Sequence, residues 1–255
     1  PSYYKKSKGI EVWDLNGKKF KDFSIMSIGQ CPLGYANDKI NNSVKEAIDK
    51  GSTSTLNSFE EFELAEKLTN IHRGMDSVRF SKTGGEACAI AIRIARAYTN
   101  RSVIVASGYF GWHDWYLSTN LKNDKGLDDH LLPGLKANGV PDKLKGTVYT
   151  FNYNRFDELE TLVKKHDIGV IIMEVERNDG PKNNFLQNIR KLATQNEIVL
   201  IFDECTSGFR ETFGGIFKKY NVEPDMAMFG KTLGNGFAIT AVVGRQNIME
   251  AAQNT

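Results

Sequence analysis

The stretch PDMAMFGKTLGNGFAITAVVGR, residues 224–245, decides the fold and directs attention to Lys231. The short apolar run Met226–Phe229 brings the chain to Gly230, and a glycine-rich turn follows the lysine. An apolar run of this length, bounded by turn residues, is typical of a buried strand. Lys231 is therefore predicted to lie directly after the carboxyl end of such a strand.

Similar apolar runs recur along the chain and alternate with segments of helical spacing. The predicted strands are Val78–Phe80, Val103–Ala106, Val170–Met173, Ile198–Phe202 and Met226–Phe229. The predicted helices between them are Glu86–Tyr98, Phe156–His166 and Phe185–Asn196. Continuous apolar strands that alternate with helices predict an α/β fold, a mainly parallel sheet covered by helices on both faces. Active sites of such sheets lie at the carboxyl ends of the strands.

The first part of the chain has a different pattern. Asn16-Gly17 between two short apolar-rich runs predicts a hairpin over residues 10–23, and Ile40–Ile48 and Phe59–Leu68 have helical spacing. We assign residues 1–50 to an N-terminal segment that is part of a small domain, and residues 51–255 to a large domain. Residues 117–146 are polar, with Gly and Pro, and are predicted to form a long functional loop.

Composition excludes several classes of protein. The chain has 255 residues, 40% hydrophobic and 25% charged, as in an ordinary globular protein. Its net charge of +2 argues against a nucleic-acid binder, and its apolar runs are shorter than the roughly 20 residues that span a bilayer. The three cysteines and four histidines are dispersed, so no metal site is predicted, and a cytoplasmic, reducing location is expected.

Asp203 and Glu204 end the strand that precedes Lys231 by about thirty residues. Pyridoxal 5′-phosphate (PLP) requires both kinds of group, because its aldehyde forms a Schiff base with a lysine and its ring nitrogen needs a carboxylate. Successive strand side chains point to opposite faces, so only one of the two acids is expected to face a cofactor. The alternatives are a solvated loop lysine and a buried ion pair. A nucleotide-binding P-loop is not predicted, because Asp225 stands where that motif needs glycine.

Two further strand ends carry suggestive residues. Thr83-Gly84-Gly85 opens a helix, where small residues let backbone N–H groups approach a phosphate, although many glycine turns only connect two elements. Residues 109–116 contain five aromatic side chains, which suit either a stacking platform for a flat ring or core packing.

With these motifs in order, the sequence resembles the class III aminotransferases of the fold-type I PLP enzymes, and within them the glutamate-1-semialdehyde aminomutase group. The resemblance runs over nearly the whole chain. The segments that carry it are VRFSKTGGEACAIAIRIARAYTNR (78–101), GYFGWHDWY (108–116), IIMEVERNDGPKNNFL (171–186), IFDECTSGFR (201–210) and PDMAMFGKTLGNGFAITAVVGR (224–245).

The resemblance implies a role for each matching residue. Lys231 corresponds to the Schiff-base lysine and Asp203 to the partner of the pyridine nitrogen. The phosphate-binding turn corresponds to Thr83, Gly84 and Gly85, and the ring is expected to lie between Tyr109 and Cys205. Glu174 corresponds to a glutamate that ends the neighbouring strand near the site.

The resemblance also implies an activity and leaves two alternatives to it. The implied reaction is PLP-dependent amino-group transfer between a small-molecule amino donor and a carbonyl acceptor. An intramolecular aminomutase needs the same lysine and acid, so it remains an alternative. Family members continue beyond Thr255, so the chain is expected to be C-terminally truncated, with an incomplete small domain. If it does end there, a non-catalytic PLP-fold binding protein is the second alternative.

A homodimer is predicted, with the cofactor near the interface. The aromatic run from Tyr109 to Tyr116 exceeds what one ring platform needs, and the loop Leu117–Gly146 is too long for a simple connection. Related segments contribute to the dimer in the family. The alternative is that the loop folds back on its own subunit.

Overall fold

A computed structural model describes residues 2–122, 125–130, 133–176 and 178–253. Its ten strands are β1 (Tyr4–Lys8), β2 (Glu11–Asp14), β3 (Lys19–Lys21), β4 (Ser77–Ser81), β5 (Val103–Ser107), β6 (Val148–Thr150), β7 (Ile168–Glu174), β8 (Val199–Asp203), β9 (Met226–Phe229) and β10 (Thr240–Gly244), counted within those ranges. The helical segments are α1 (Met26–Gly29, a single turn with left-handed φ values), α2 (Asp38–Lys50), α3 (Phe59–Ile71), α4 (Gly84–Thr99), α5 (Asp114–Leu117), α6 (Phe156–Lys165), α7 (Phe185–Gln195) and α8 (Gln246–Met249). Short 3-10 turns join several of them.

The main sheet has seven strands in the order β4-β10-β9-β8-β7-β5-β6. Pairing is parallel from β9 through β8, β7 and β5 to β6, whereas β10 is antiparallel to both of its neighbours. The predicted α/β class is confirmed. The antiparallel insertion of β10 between β4 and β9 was not predicted, because the sequence pattern does not specify strand order.

Alternate residues of the central strands enter two separate cores, one on each face of the sheet. Ile201 of β8 packs with the α4 residues Ala87 and Ala91, whereas Phe202 packs with Phe185 of α7 on the other face. These strands are apolar on both sides because both sides are covered. Asp203 has the same parity as Ile201, so it faces α4.

The N-terminal hairpin is confirmed as β2 paired antiparallel with β3, and β1 adds a third strand that was not predicted. Both predicted N-terminal helices are also present, as α2 and α3. Asn37 caps α2 through its side chain, and Gly51 follows its end with a φ of 102°. The division of the chain at residue 50 stays a prediction.

The segment predicted as a long loop is largely packed against its own subunit. Leu117, Leu127 and Val140 of this segment are buried in the core on the α4 side of the sheet, as are Trp115 and Tyr116, which precede it. Within the described parts of this segment, one-turn helices cover Ser118–Leu121 and Asp142–Leu144, while residues 123–124 and 131–132 lie outside the described residues. Most of the aromatic run therefore serves core packing, the alternative that the sequence had left open.

Candidate active site

The two adjacent acids at the end of β8 have different surroundings. Glu204 accepts hydrogen bonds from the Ser207 hydroxyl and from the Phe217 backbone N–H (3.1 Å), on the face opposite α4. Burial raises the pKa of Glu204 to about 7. Glu204 thus makes a structural contact, and Asp203 is the acid that faces α4.

Asp203 is buried, with 5% of its surface exposed, at the carboxyl end of the sheet. Its Oδ1 accepts the Cys205 backbone N–H at 2.9 Å, and its Oδ2 lies 3.8 Å from the Cys88 thiol sulfur. Burial raises the pKa of Asp203, while these donors and the positive charge of Lys231 act in the opposite direction. A cation beside the carboxylate therefore stabilises its ionised form.

Lys231 begins the turn that follows β9, separated from the strand by Gly230. Its φ of 41° is left-handed, a conformation that non-glycine residues seldom adopt and that is common at functional sites. The Nζ atom donates to Thr206 Oγ1 at 2.8 Å. A Cβ on Gly230 would stand 3.2 Å from Cys205 Sγ, so the glycine permits a close approach between the two strand ends.

The Thr83-Gly84-Gly85 turn forms the amino end of α4. Thr83 is the N-cap, and with Glu86 it forms a reciprocal capping box in which each side chain bonds the other's backbone N–H. A Cβ on Gly84 would lie 3.8 Å from Cys205 Sγ, which places the turn beside the β8 strand end. The N–H groups of a first helical turn have no partner within the helix, so they are available to an anion.

Tyr109 and Glu174 come together at the ends of β5 and β7. The Tyr109 backbone N–H donates to Glu174 Oε2 at 3.3 Å, and Glu174 lies opposite Asp203 in the β7–β8 register. A Cβ on Gly108 would stand 2.7 Å from Glu174 Oε2, so glycine is required there for this contact. The eight predicted site residues thus occupy neighbouring strand ends, although their roles remain predictions.

Sequence reasoning missed three contacts of this region. Thr206 accepts from Lys231, Cys88 contacts Asp203, and a Cβ on Gly85 would stand 2.6 Å from His113 Nε2. All three lie within the segments that carry the family resemblance, but no residue pattern indicates what their side chains touch. Position in the chain alone could have singled out Thr206, three residues after Asp203.

A cavity of about 500 Å³ adjoins Lys231 and extends towards the N-terminal segment. Its apolar wall includes Ile25, Met26 and Ile28, and Arg210 lies at its edge. Four consecutive residues, 26–29, have positive φ values between 46° and 75°. Met26, Ile28 and Gly29 of this stretch line the cavity.

The donor set fits PLP. Lys231 offers an amine to an aldehyde, and the buried Asp203 suits a cationic ring nitrogen. The glycine-rich start of α4 presents backbone N–H groups to a phosphate. Within residues 2–122, 125–130, 133–176 and 178–253, no group of three or more His, Cys, Asp or Glu side chains is arranged to hold a metal ion. In the same ranges, no helix has the length and apolar character that crossing a membrane requires.

Comparison with known proteins identifies relatives among the aminotransferases and aminomutases. A 3-aminobutyryl-CoA aminotransferase from Cloacimonas acidaminovorans is 36% identical over 259 residues, which cover 98% of this chain and 58% of the relative. A glutamate-1-semialdehyde 2,1-aminomutase from Geotalea daltonii is 37% identical over 257 residues, 98% of this chain and 59% of the relative. An omega-transaminase from Sphaerobacter thermophilus superposes with a TM-score of 0.86 at 28% identity, over 98% of this chain and 59% of that structure.

The chain therefore spans less than two thirds of the length of these relatives. The sequence pattern of one family, "Aminotransferase class-III", matches residues 1–255. That match covers the whole chain and every strand end described above. This chain belongs to the class III aminotransferase family.

Proposed function

We propose that this protein carries out PLP-dependent amino-group transfer with Lys231 as its covalent attachment site. The observation that carries the proposal is the placement of Lys231 and the buried Asp203 at adjacent strand ends, with Cys205 between them. Family membership supports the same cofactor, since class III aminotransferases are PLP enzymes. When bound, PLP supplies an aldehyde carbon and an electron-withdrawing ring.

The residues of this chain take distinct roles in the proposal. Lys231 Nζ would hold the aldehyde carbon and, when free, would move a proton at the substrate carbon. The Thr206 hydroxyl, 2.8 Å from Nζ, orients the amine. Asp203 keeps the ring nitrogen protonated. Gly84 and Gly85 bind the phosphate through backbone N–H groups.

The flat faces of the ring are proposed to lie against Tyr109 and Cys205. Tyr109 packs edge-on against the buried ring of Tyr116, with centroids 6.5 Å apart, and Tyr116 donates to the Gly108 carbonyl at 2.7 Å. Cys205 is 9% exposed and beside Gly84 and Gly230. Burial raises the pKa of Cys205 well above its ordinary value, so it remains a thiol and packs as a small apolar group.

Two alternative functions remain for this protein. An intramolecular aminomutase is supported by relatives of that name, including the one from Geotalea daltonii. It would start from the aminated cofactor and would lose no nitrogen to an unrelated keto acid. Spectroscopic half-reactions with amino acids, semialdehydes and keto sugars separate it from an intermolecular transferase. A non-catalytic PLP-binding protein would retain cofactor on Lys231 but give no half-reaction.

We also propose a homodimer, although the observation that supports it differs from the one on which the sequence-based prediction rested. The aromatic run no longer motivates it, because Phe110, Trp115 and Tyr116 are buried within the subunit. What supports it is that most of the exposed large apolar side chains lie in residues 3–62, including Phe23 and Leu56, which are 85% and 81% exposed. Where such side chains cluster on a surface, another chain commonly covers them. Sedimentation with and without PLP tests it, and an active monomer at assay concentration would contradict it.

Borohydride reduction tests the attachment site. The chain is incubated with PLP, reduced, digested and mapped by mass spectrometry. The phosphopyridoxyl group is expected on Lys231, absent from Lys231→Ala and retained by Lys82→Arg, a change to an exposed lysine beside the glycine turn. Circular dichroism checks that each variant is folded. Label on another lysine, or no label on the folded chain, would contradict the proposal.

A further inference from the structure

Cys88 lies on the second turn of α4 and its thiol meets the carboxylate of Asp203. The sulfur is 3.8 Å from Asp203 Oδ2, and Cys88 and Asp203 are 1% and 5% exposed. A sulfur–oxygen separation of this size is a weak hydrogen bond, in which the thiol donates and the carboxylate accepts. The partners are 115 residues apart in sequence, so the contact depends on α4 packing across β8.

The thiol of Cys88 acts as a donor and not as a thiolate. Burial raises its pKa well above the ordinary value, and the negative charge of Asp203 raises it further. A neutral S–H therefore faces Oδ2, while the Cys205 backbone N–H faces Oδ1. These two contacts hold the plane of the carboxylate, which retains further acceptor directions on both oxygens.

We propose that Cys88 is a positioning residue for Asp203: its S–H fixes the carboxylate against α4 and favours the ionised form. This inference rests on the proposed function, in which Asp203 pairs with the ring nitrogen. If the Asp203 carboxylate is a weaker base, the proton between it and the ring nitrogen would stay on the nitrogen. Loss of the thiol donor makes Asp203 more basic and moves that proton towards the carboxylate.

Other charged groups also act on Asp203, from each surrounding element. Glu174 lies beside it on β7, Glu204 follows it on β8, and Lys231 follows β9. Cys205 contributes a backbone N–H and a second thiol. All of these groups are retained in every Cys88 variant, and the comparison between donor-bearing and donor-free side chains at position 88 isolates the contribution of the thiol donor.

The first measurement needs no cofactor. The chain is labelled with ¹³C at the aspartate carboxyl carbons, and the Asp203 signal is assigned by its loss in Asp203→Asn. In Cys88→Ala the midpoint of the Asp203 titration is expected to rise by roughly half to one pH unit, because the ionised carboxylate loses one weak hydrogen-bond donor. Cys88→Ser, which keeps a donor, is expected to restore the wild-type midpoint or lower it.

Cys31→Ala is the matched control, because it removes another buried thiol, and it is expected to leave the midpoint unchanged. If Cys88→Ala does not fold, Cys88→Val leaves no cavity, lacks a donor and gives the same readout. Equal midpoints for the wild type and the folded donor-free variant would overturn the proposal, as would a Cys88→Ser midpoint as high as that of Cys88→Ala.

The second measurement uses the loaded chain. With ¹⁵N in the pyridine ring of PLP, the ring nitrogen signal of Cys88→Ala is expected to move towards that of unprotonated pyridine, and Cys88→Ser to reverse the move. An unmoved signal would contradict the proposal. Failure of the proposed function is seen separately, as absence of the Lys231 label after borohydride reduction, while the carboxyl titration still tests the Cys88 contact.

Discussion

Replacing His72 with glutamine is expected to change how the free energy of unfolding depends on pH. The His72 ring is buried and stacked on Phe229, with centroids 4.5 Å apart. Its Nδ1 lies 2.9 Å from the Leu68 carbonyl oxygen, and its Nε2 accepts the Gly215 backbone N–H at 3.1 Å. Nδ1 therefore carries the proton, and a second proton on Nε2 would break the contact with Gly215.

The sign follows from the direction of the pKa shift. Burial lowers the pKa of His72 from 6.5 to about 4. The unfolded chain therefore binds a proton below pH 6.5, whereas the native chain does not until about pH 4. His72 thus lowers the free energy of unfolding as pH falls through this window, by about 2 kcal/mol at pH 5 relative to pH 8.

Glu204 acts in the opposite direction over nearly the same window. Its pKa is raised from 4.5 to about 7, so the native chain takes up the proton first and gains stability as pH falls. The two contributions offset each other in the wild type. The effect of each residue is therefore measured as the difference in unfolding free energy between its variant and the wild type at each pH.

Urea unfolding followed by tryptophan fluorescence at pH 8 and pH 5 measures this difference. His72→Gln is expected to be less stable than the wild type at pH 8, because the ring stack is lost. At pH 5 the difference should shift in favour of the variant by about 2 kcal/mol. Glu204→Gln is the counterpart and should shift the opposite way. A difference for His72→Gln that does not change with pH would refute the reasoning.

Three further substitutions test the scaffold of the site. Thr83→Ala removes the side-chain cap of α4 and is expected to cost about 1 kcal/mol of unfolding free energy, measured in urea, with Thr83→Ser close to the wild type. Asp225→Asn breaks a partly buried ion pair with Arg190 and weakens a hydrogen bond from the β8 backbone, so a loss of about 3 kcal/mol is expected, whereas Asp157→Asn at an exposed pair is expected to leave stability unchanged. Gly108→Ala forces a Cβ within 2.7 Å of Glu174 Oε2 at a φ of 131°, so borohydride-trapped PLP should fall at least severalfold on a chain that circular dichroism shows to be folded. Wild-type values in these assays would contradict each expectation in turn.

The sequence by itself determined the elements of the large sheet and the candidate residues. A continuous apolar run such as Ile198–Phe202 indicates a strand that is buried on both faces of a sheet, and a few neighbouring residues suffice to recognise it. The strand–helix alternation therefore predicted that Lys231, Asp203 and the turn at Gly84 would gather at one edge. The structure places Lys231 after β9 and Asp203 at the end of the adjacent strand β8, and the turn at Gly84 lies beside Cys205 at the same edge.

The tertiary structure alone decided which contacts those residues make. Period-two alternation states that Asp203 and Glu204 face opposite ways, but only the position of α4 decides which of them faces the site. A local sequence pattern does not specify strand order either, so the position of β10 between β4 and β9 was not predicted. The contact of Cys88 with Asp203 joins α4 to the end of β8. These elements are far apart in sequence and meet only in the folded core, because packing depends on the whole chain, whereas periodicity is a local property.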